Sequence, residues 1–196
     1  MDESPSGCWT NHHSITEYNG QWYLFYHHND YSPNFDKNRS ARIDSLFFNT
    51  DGTIKKVKPT LRGVGITDAR SKIQIDRYST ISPYGVTIDY LEPSNTFEGW
   101  QTLFNRAGTW VTYNKVDFGI TPVKRLKARV RSEKGGAITL RTPGEKGMTI
   151  AELPIKPTGK WTEISTNVSN APTSMQDLII TQTGENPVAV DWISFE

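Results

Sequence analysis

The 196-residue sequence has a single cysteine, Cys8, so no disulfide framework can form within it. No apolar run approaches the ~20 residues that carry a helix across a bilayer, so no membrane-spanning helix is expected in it. Charge of one sign is also missing. Twenty-two Lys+Arg stand against 21 Asp+Glu, leaving a net charge of +1 and no electrostatic footprint for nucleic acid or an anionic membrane. The opening Met1-Asp2-Glu3-Ser4-Pro5 has neither the basic start nor the apolar core of a signal peptide. No internal repeat or low-complexity tract is found, and helical periodicity is nearly absent.

What remains is an all-β pattern: short alternating runs separated by turn residues. Residues 14–18 and 21–26 flank Asn19-Gly20, a pair suited to the positive φ angles of a type I′ hairpin turn. Residues 41–48 and 53–57 flank Asp51-Gly52. These four short strands make a sheet of propeller-blade size, too small to be stable alone. A Pro/Gly-rich stretch follows. Strands are then expected at 73–78, 84–91, 99–104, 109–117, 123–132, 136–142, 148–155, 160–168, 176–182 and 187–195, a spacing that suggests a jelly-roll sandwich. The boundaries read as a blade over 1–60, a linker over 61–70 and a β-sandwich over 71–196. Hydrophobic content is only 35%, but aromatics reach 11% with six Trp. They supply core area and also suit stacking on flat ligands such as sugar rings.

The closing strand carries one carboxylate, Asp191, in an apolar run. Burial of a lone carboxylate costs several kcal/mol, so Asp191 must be hydrogen-bonded, paired or metal-bound. In the run Ile73-Gln74-Ile75-Asp76, Gln74 and Asp76 alternate with isoleucines and are expected on one face of a strand. An oxygen-ligated cation stapling first and last strands is one reading of Asp191. A hydrogen-bonded Asp191 without metal is the other. Near the start, Asn11-His12-His13 and later His27-His28 offer ligands for a metal or a hydroxyl, or loop histidines satisfied by backbone; zinc-type spacing is missing.

Two resemblances cover most of the chain. Asn11-His12-His13-Ser14 through His27-His28, then Asn38-Arg39-Ser40-Ala41-Arg42, then Asp51-Gly52-Thr53-Ile54, resemble the last blade of glycoside hydrolase family 43, with the bacterial arabinoxylan arabinofuranohydrolases closest in pattern. This implies a five-bladed propeller whose catalytic carboxylates lie on earlier blades, so no catalytic residue is assigned here. It also implies a cation or water cluster held near the axis by Asn11, His12 or His13, and a sugar contact by Arg39, with Arg42 in reserve. No pair of acidic residues in the first sixty is set apart as glycoside hydrolysis requires.

From about residue 66 the chain resembles a family 6 carbohydrate-binding module, through Ile73–Tyr78, Gly108-Thr109-Trp110 onward to Gly119, Gly135-Gly136, Thr158-Gly159-Lys160-Trp161 and Val190-Asp191-Trp192. The resemblance implies a structural calcium held by Gln74, Asp76 (the family's more usual residue is Glu) and Asp191. It implies a sugar cleft with Trp161 as platform, Asn186 as hydrogen-bonding partner and Phe104 as second aromatic, with Trp100 nearby. Trp110, Tyr113, Phe118 and Trp192 are assigned to the core. The expected partners are xylan or arabinoxylan oligosaccharide and the upstream propeller blades. The parent enzyme would act outside the cell or in the periplasm, removing arabinofuranosyl or xylosyl units. A non-binding domain that stabilises the propeller is the alternative.

Overall fold

A computed structural model describes residues 12–28, 40–145 and 147–196 and divides the chain after Val64 into two compact units. Asn11 and Arg39 lie outside the described residues.

In the first unit, β1 (Ser14–Tyr18), β2 (Gln21–His28) and β3 (Ser40–Leu46) form one antiparallel sheet in that order. Asn19 and Gly20 take φ of 50° and 77°, as the hairpin turn requires. The strand expected over 53–57 is reduced to a single bridge, Phe48 with Ile54. Lysines at 55, 56 and 58 and a proline at 59, which has no N–H to donate, oppose longer pairing. A small core of Leu24, Tyr26 and Leu46 has Val57 packed against it.

The segment after the bridge is tied down rather than free. Buried Asp44 accepts hydrogen bonds from the Tyr26 hydroxyl (2.5 Å), the Thr60 hydroxyl (2.6 Å) and the Thr60 N–H (3.1 Å). Thr60 Oγ1 in turn accepts from Gly63 N–H, and Arg42 donates to the Leu61 carbonyl. Burial and the bond to Asp44 push the Tyr26 hydroxyl pKa far up. The stretch expected as a linker, 61–70, is therefore shared out. Residues up to 63 hydrogen-bond within the first unit, and Thr67–Asp68 and the fully buried Ala69 belong to the second.

The second unit is a sandwich of two six-stranded sheets. One runs β13 (Thr162–Asn167), β10 (Arg125–Arg131), β15 (Val188–Phe195), β8 (Trp100–Phe104), β7 (Val86–Tyr90), with β5 (Ile73–Gln74) also on β15. The other runs β12 (Thr149–Ile155), β11 (Gly136–Arg141), β14 (Met175–Gln182), β9 (Trp110–Asp117), β4 (Thr67–Asp68), with β6 (Thr80–Ile81) also on β9. All pairings are antiparallel except β4 with β9. Alternation puts Leu126, Ala128 and Val130 of β10 inward, facing Ile138 and Leu140 of β11 and Leu178 and Ile180 of β14 in one core. The all-β reading and most strand positions hold. Besides 53–57, the exception is 73–78, where the strand ends at Gln74 and the chain turns after it.

Candidate functional site

The unit presents two outer sheet faces and a loop edge. On the face of β12, β11, β14 and β9 the register aligns two rows of outward side chains. Glu152, Thr139, Thr181 and Trp110 form one row; Thr149, Arg141, Ile179 and Thr112 form the other. β-Branched threonine fits a pleated surface, and each hydroxyl both donates and accepts. These rows line a groove of about 630 Å³. With strands ~4.8 Å apart, four strands give a track of roughly 14 Å. Trp110 closes one end as a half-buried ring. The sequence reading placed Trp110 in the core. Its neighbours Val111 and Tyr113 are the inward residues, fully or nearly fully buried, and period two turns Trp110 and Thr112 outward.

The expected sugar cleft is not assembled as a sandwich of rings. Phe104 is 0% exposed and sits in the core between the sheets. It pairs with Val188 and Val86 on the inward side, so its ring offers no face to a ligand. This corrects its assignment as the second aromatic. Trp161 is half-buried, in the loop just before β13. The guanidinium groups of Arg131 and Arg129 stand 5.1 and 5.4 Å from its ring centroid, within cation–π range. Trp100 is half-buried and stacks on Tyr90 at 4.3 Å between centroids. Asn186 is partly exposed, with a long contact of 3.5 Å from its amide to the Lys134 carbonyl.

The expected metal ligands are brought together only in part. Ile75 N–H donates to the Asp191 carbonyl at 2.9 Å, and Gln74 faces Trp192 across the β5–β15 pair, so the two segments lie side by side. Asp76 and Asp191 are each 3% exposed, a pair of buried oxygen donors of the kind a hard cation takes. Gln74 is exposed, because the turn after it breaks the alternation that was to align it with Asp76. Asp191 also has a protein cation: Arg129 Nη1 lies 2.7 Å from its Oδ2. Burial pushes the Asp191 carboxyl pKa up, and Arg129 and Lys72 pull against that rise. Arg77 Nε lies 3.2 Å from the Asp76 carboxylate. The Tyr113 hydroxyl donates to the carbonyls of Gln74 and Ile75. Among the described residues no group of three or more His, Cys, Asp and Glu could hold a metal ion.

In the first unit His12 and His13 are exposed. The His12 N–H reaches His27 Nδ1 at 3.4 Å, and the two rings lie 5.8 Å apart. Arg42, the reserve sugar-contacting arginine, is 5% exposed. No helix among the described residues is long and apolar enough to cross a membrane.

The model of the family described as carbohydrate binding module (family 6) matches residues 81–196. An arabinoxylan arabinofuranohydrolase of Paenibacillus polymyxa is 28% identical over 186 residues, 89% of this chain and 29% of the relative. The structure of a glycoside hydrolase family 43 arabinoxylan arabinofuranohydrolase from Bacillus subtilis, solved with cellotetraose, matches 95% of this chain and 40% of that one, with a TM-score of 0.65 and 23% identity. A family 6 module from Clostridium cellulolyticum, solved with xylose, matches at a TM-score of 0.58 and 28% identity over 66% of this chain and 99% of that one. The chain spans 29% and 33% of the lengths of the first two curated relatives.

Proposed function

We propose, for a chain that belongs to carbohydrate binding module family 6 through residues 81–196, that the second unit holds a neutral β-linked xylo- or gluco-oligosaccharide, such as a segment of xylan or arabinoxylan, in the groove ending at Trp110. The supporting observation is the chemistry of that groove: one outward tryptophan ring, two rows rich in threonine, and Arg141 with Glu152 beside them. The ring supplies a stacking face, and hydroxyls and charged groups satisfy sugar hydroxyls in both directions. An open groove on a rigid sheet needs little rearrangement. It also buries little, so affinity is modest. Xylose and cellotetraose, present in the solved relatives, set the first sugars to try.

In this reading the module keeps an arabinofuranosyl- or xylosyl-releasing glycosidase on its polysaccharide, outside the cytoplasm, with the cleaving carboxylates supplied by other blades. The first unit exposes Ile15, Trp22, Phe25, Phe47, Phe48 and Ile54, apolar surface suited to neighbouring blades. Calorimetric titration with xylohexaose and cellohexaose tests the binding. Trp110→Ala is expected to weaken binding at least about tenfold, equivalent to ~1.4 kcal/mol. Unchanged binding in that variant would remove the groove from the reading.

The second reading, a non-binding domain that stabilises the propeller, is favoured by the burial of Phe104 and by the two arginines on Trp161. No saturable binding by the wild-type chain would establish it. If Trp161 and Asn186 instead carry the sugar, Trp161→Ala loses binding where Trp110→Ala does not.

The calcium site is proposed in reduced form, with the carboxylates of Asp76 and Asp191 and nearby backbone carbonyls as ligands and Gln74 left out. The ion would supply charge neutralisation to two buried carboxylates and tie β5 to β15. A ligand present at a hundred times its Kd adds about 2.7 kcal/mol of stability. Millimolar Ca²⁺ is then expected to raise the melting temperature by roughly 5–10 °C over the chelated protein. Identical melting with Ca²⁺ and with EDTA would leave Arg129 as the counter-charge of Asp191 and no ion.

A further inference from the structure

The groove holds a positive charge that no protein group answers. Arg141 is exposed at the end of β11, and among the described residues its guanidinium has no hydrogen bond, ion pair or ring contact. Other arginines of this unit are engaged. Arg70 donates to two carbonyls, Arg77 and Arg129 pair with carboxylates, and Arg106 lies 4.2 Å from the Tyr84 ring centroid. We propose, resting on the sugar-binding reading above, that Arg141 is a specificity-determining residue. It takes the carboxylate of a uronic acid branch on a xylan chain whose neutral backbone lies along the row from Trp110 to Glu152.

The strand register gives such a branch one side to occupy. Backbone sugars over Thr181 and Thr139 have Ile179 and Arg141 on one side, two residues further along the same strands and therefore about 7 Å away. One branching sugar and the long arginine side chain together span that gap. On the other side stand Pro154, Ala137 and Thr183, none of them charged. A guanidinium offers a carboxylate two parallel N–H donors, and one without a protein partner gives up nothing to do so. Glu152 acts in the opposite sense. It is exposed opposite Thr139 on β12 and, among the described residues, has no ion pair of its own. Its charge repels a carboxylate from that end of the row, so attraction and repulsion together select where the branch sits.

The backbone beneath Arg141 is fixed. The register of β11 and β12 shifts between Leu140 and Arg141, an irregularity of the kind that re-aims a side chain. Just beyond it, Thr142 N–H donates to the Met148 carbonyl at 3.0 Å, and Met148 N–H returns a bond to Thr142 Oγ1 at 2.8 Å. Asn170 Nδ2 donates to the Thr149 carbonyl at 2.8 Å. The strand end is in place before a ligand arrives, and the arginine side chain is what remains to be ordered.

Calorimetric titration of the whole chain tests this with three sugars: xylotriose, xylotriose bearing one glucuronic acid branch, and the same branched sugar with its carboxyl reduced to an alcohol. The proteins are wild type, Arg141→Ala, Arg141→Lys and Trp110→Ala, and the readout is the ratio of Kd values within each protein. Wild type is expected to bind the acidic sugar at least about fivefold more tightly than the reduced one at low salt, and to lose most of that preference as salt is raised. Arg141→Ala is expected to bring the ratio to about one, with Arg141→Lys, which keeps the charge without the paired donors, in between. Equal Kd values for acidic and reduced sugars in wild type, or a preference that survives in Arg141→Ala, overturn the branch recognition. In either case xylotriose binding that is weakened in Trp110→Ala leaves the groove reading standing. Wild-type protein that binds none of the three sugars, or binding unchanged in Trp110→Ala, overturns the groove reading and the branch specificity with it.

Discussion

Replacing Phe104 with alanine is expected to destabilise the second unit by about 3–5 kcal/mol, the usual range for emptying a fully buried aromatic site. That is a large fraction of the 5–15 kcal/mol that holds a typical domain together. The melting transition should fall by more than about 10 °C. Phe104 ends β8, where it pairs with Val188, and its ring belongs to the same core as Val188 and Val130. Differential scanning calorimetry of wild type and variant reads the shift directly. Titration with xylohexaose below the variant's transition supplies the contrast, since a core residue alters stability and a cleft residue alters Kd. A variant with wild-type melting and a weakened Kd would return Phe104 to the sugar surface.

Arg129→Ala should rank next, at about 2–3 kcal/mol. Removing one partner of a buried ion pair generally costs 3–5 kcal/mol, because the other charge is left without compensation. Asp191 is that other charge, with a side chain 4% exposed. Arg129 itself is 34% exposed, so water screens part of the interaction and the lower figure applies. The variant also strips a guanidinium from the Trp161 ring. Urea denaturation of wild type, Arg129→Ala, Asp191→Asn and the double variant gives the coupling as a mutant cycle. A coupling near zero would mean that the pair contributes no net energy. If calcium seats at Asp76 and Asp191, Arg129→Ala should also gain more stability from Ca²⁺ than wild type does.

Much of this architecture is legible in the residues themselves. Asn19-Gly20 specifies its hairpin locally, and strands such as Arg125–Arg131 alternate so plainly that inward and outward faces follow from period two. The site was harder to read, for identifiable reasons. Phe104 enters through the family resemblance, and position along a chain does not say which face a residue takes. Its neighbours Gln101 and Thr102 are buried as well, so burial does not alternate cleanly along β8. Trp110 is expected in the core together with Tyr113, yet the alternation of Trp-Val-Thr-Tyr turns it outward. Gln74 was misplaced because nothing in Ile-Gln-Ile-Asp announces the turn that ends β5. The arginines over Trp161 come from β10, and the adjacency of β10 to β13 is a property of topology rather than of any local motif. Tyr84, between Pro83 and Gly85, reads as an ordinary turn residue; only the folded loops reveal its ring beside Arg106.

The register of β15 slips by one residue between Arg129 and Val130 of its neighbour β10. On its other side, β15 pairs with β8 before that slip, over Val188–Val190, and with β5 after it, at Trp192 and Ile193. The extra residue lets one strand serve two different neighbours while Val188, Val190, Ile193 and Phe195 all remain in the core. Length, more than residue identity, is therefore what this strand cannot give up. A one-residue deletion away from the slip, at Ala189 or Ser194, would put Val188 and Val190, or Ile193 and Phe195, on opposite faces and expose an apolar side chain to water. The same deletion in the exposed turn at Pro143-Gly144-Glu145 would be absorbed at the surface. Among homologous sequences, gaps should accumulate in such turns and be absent from the closing strand.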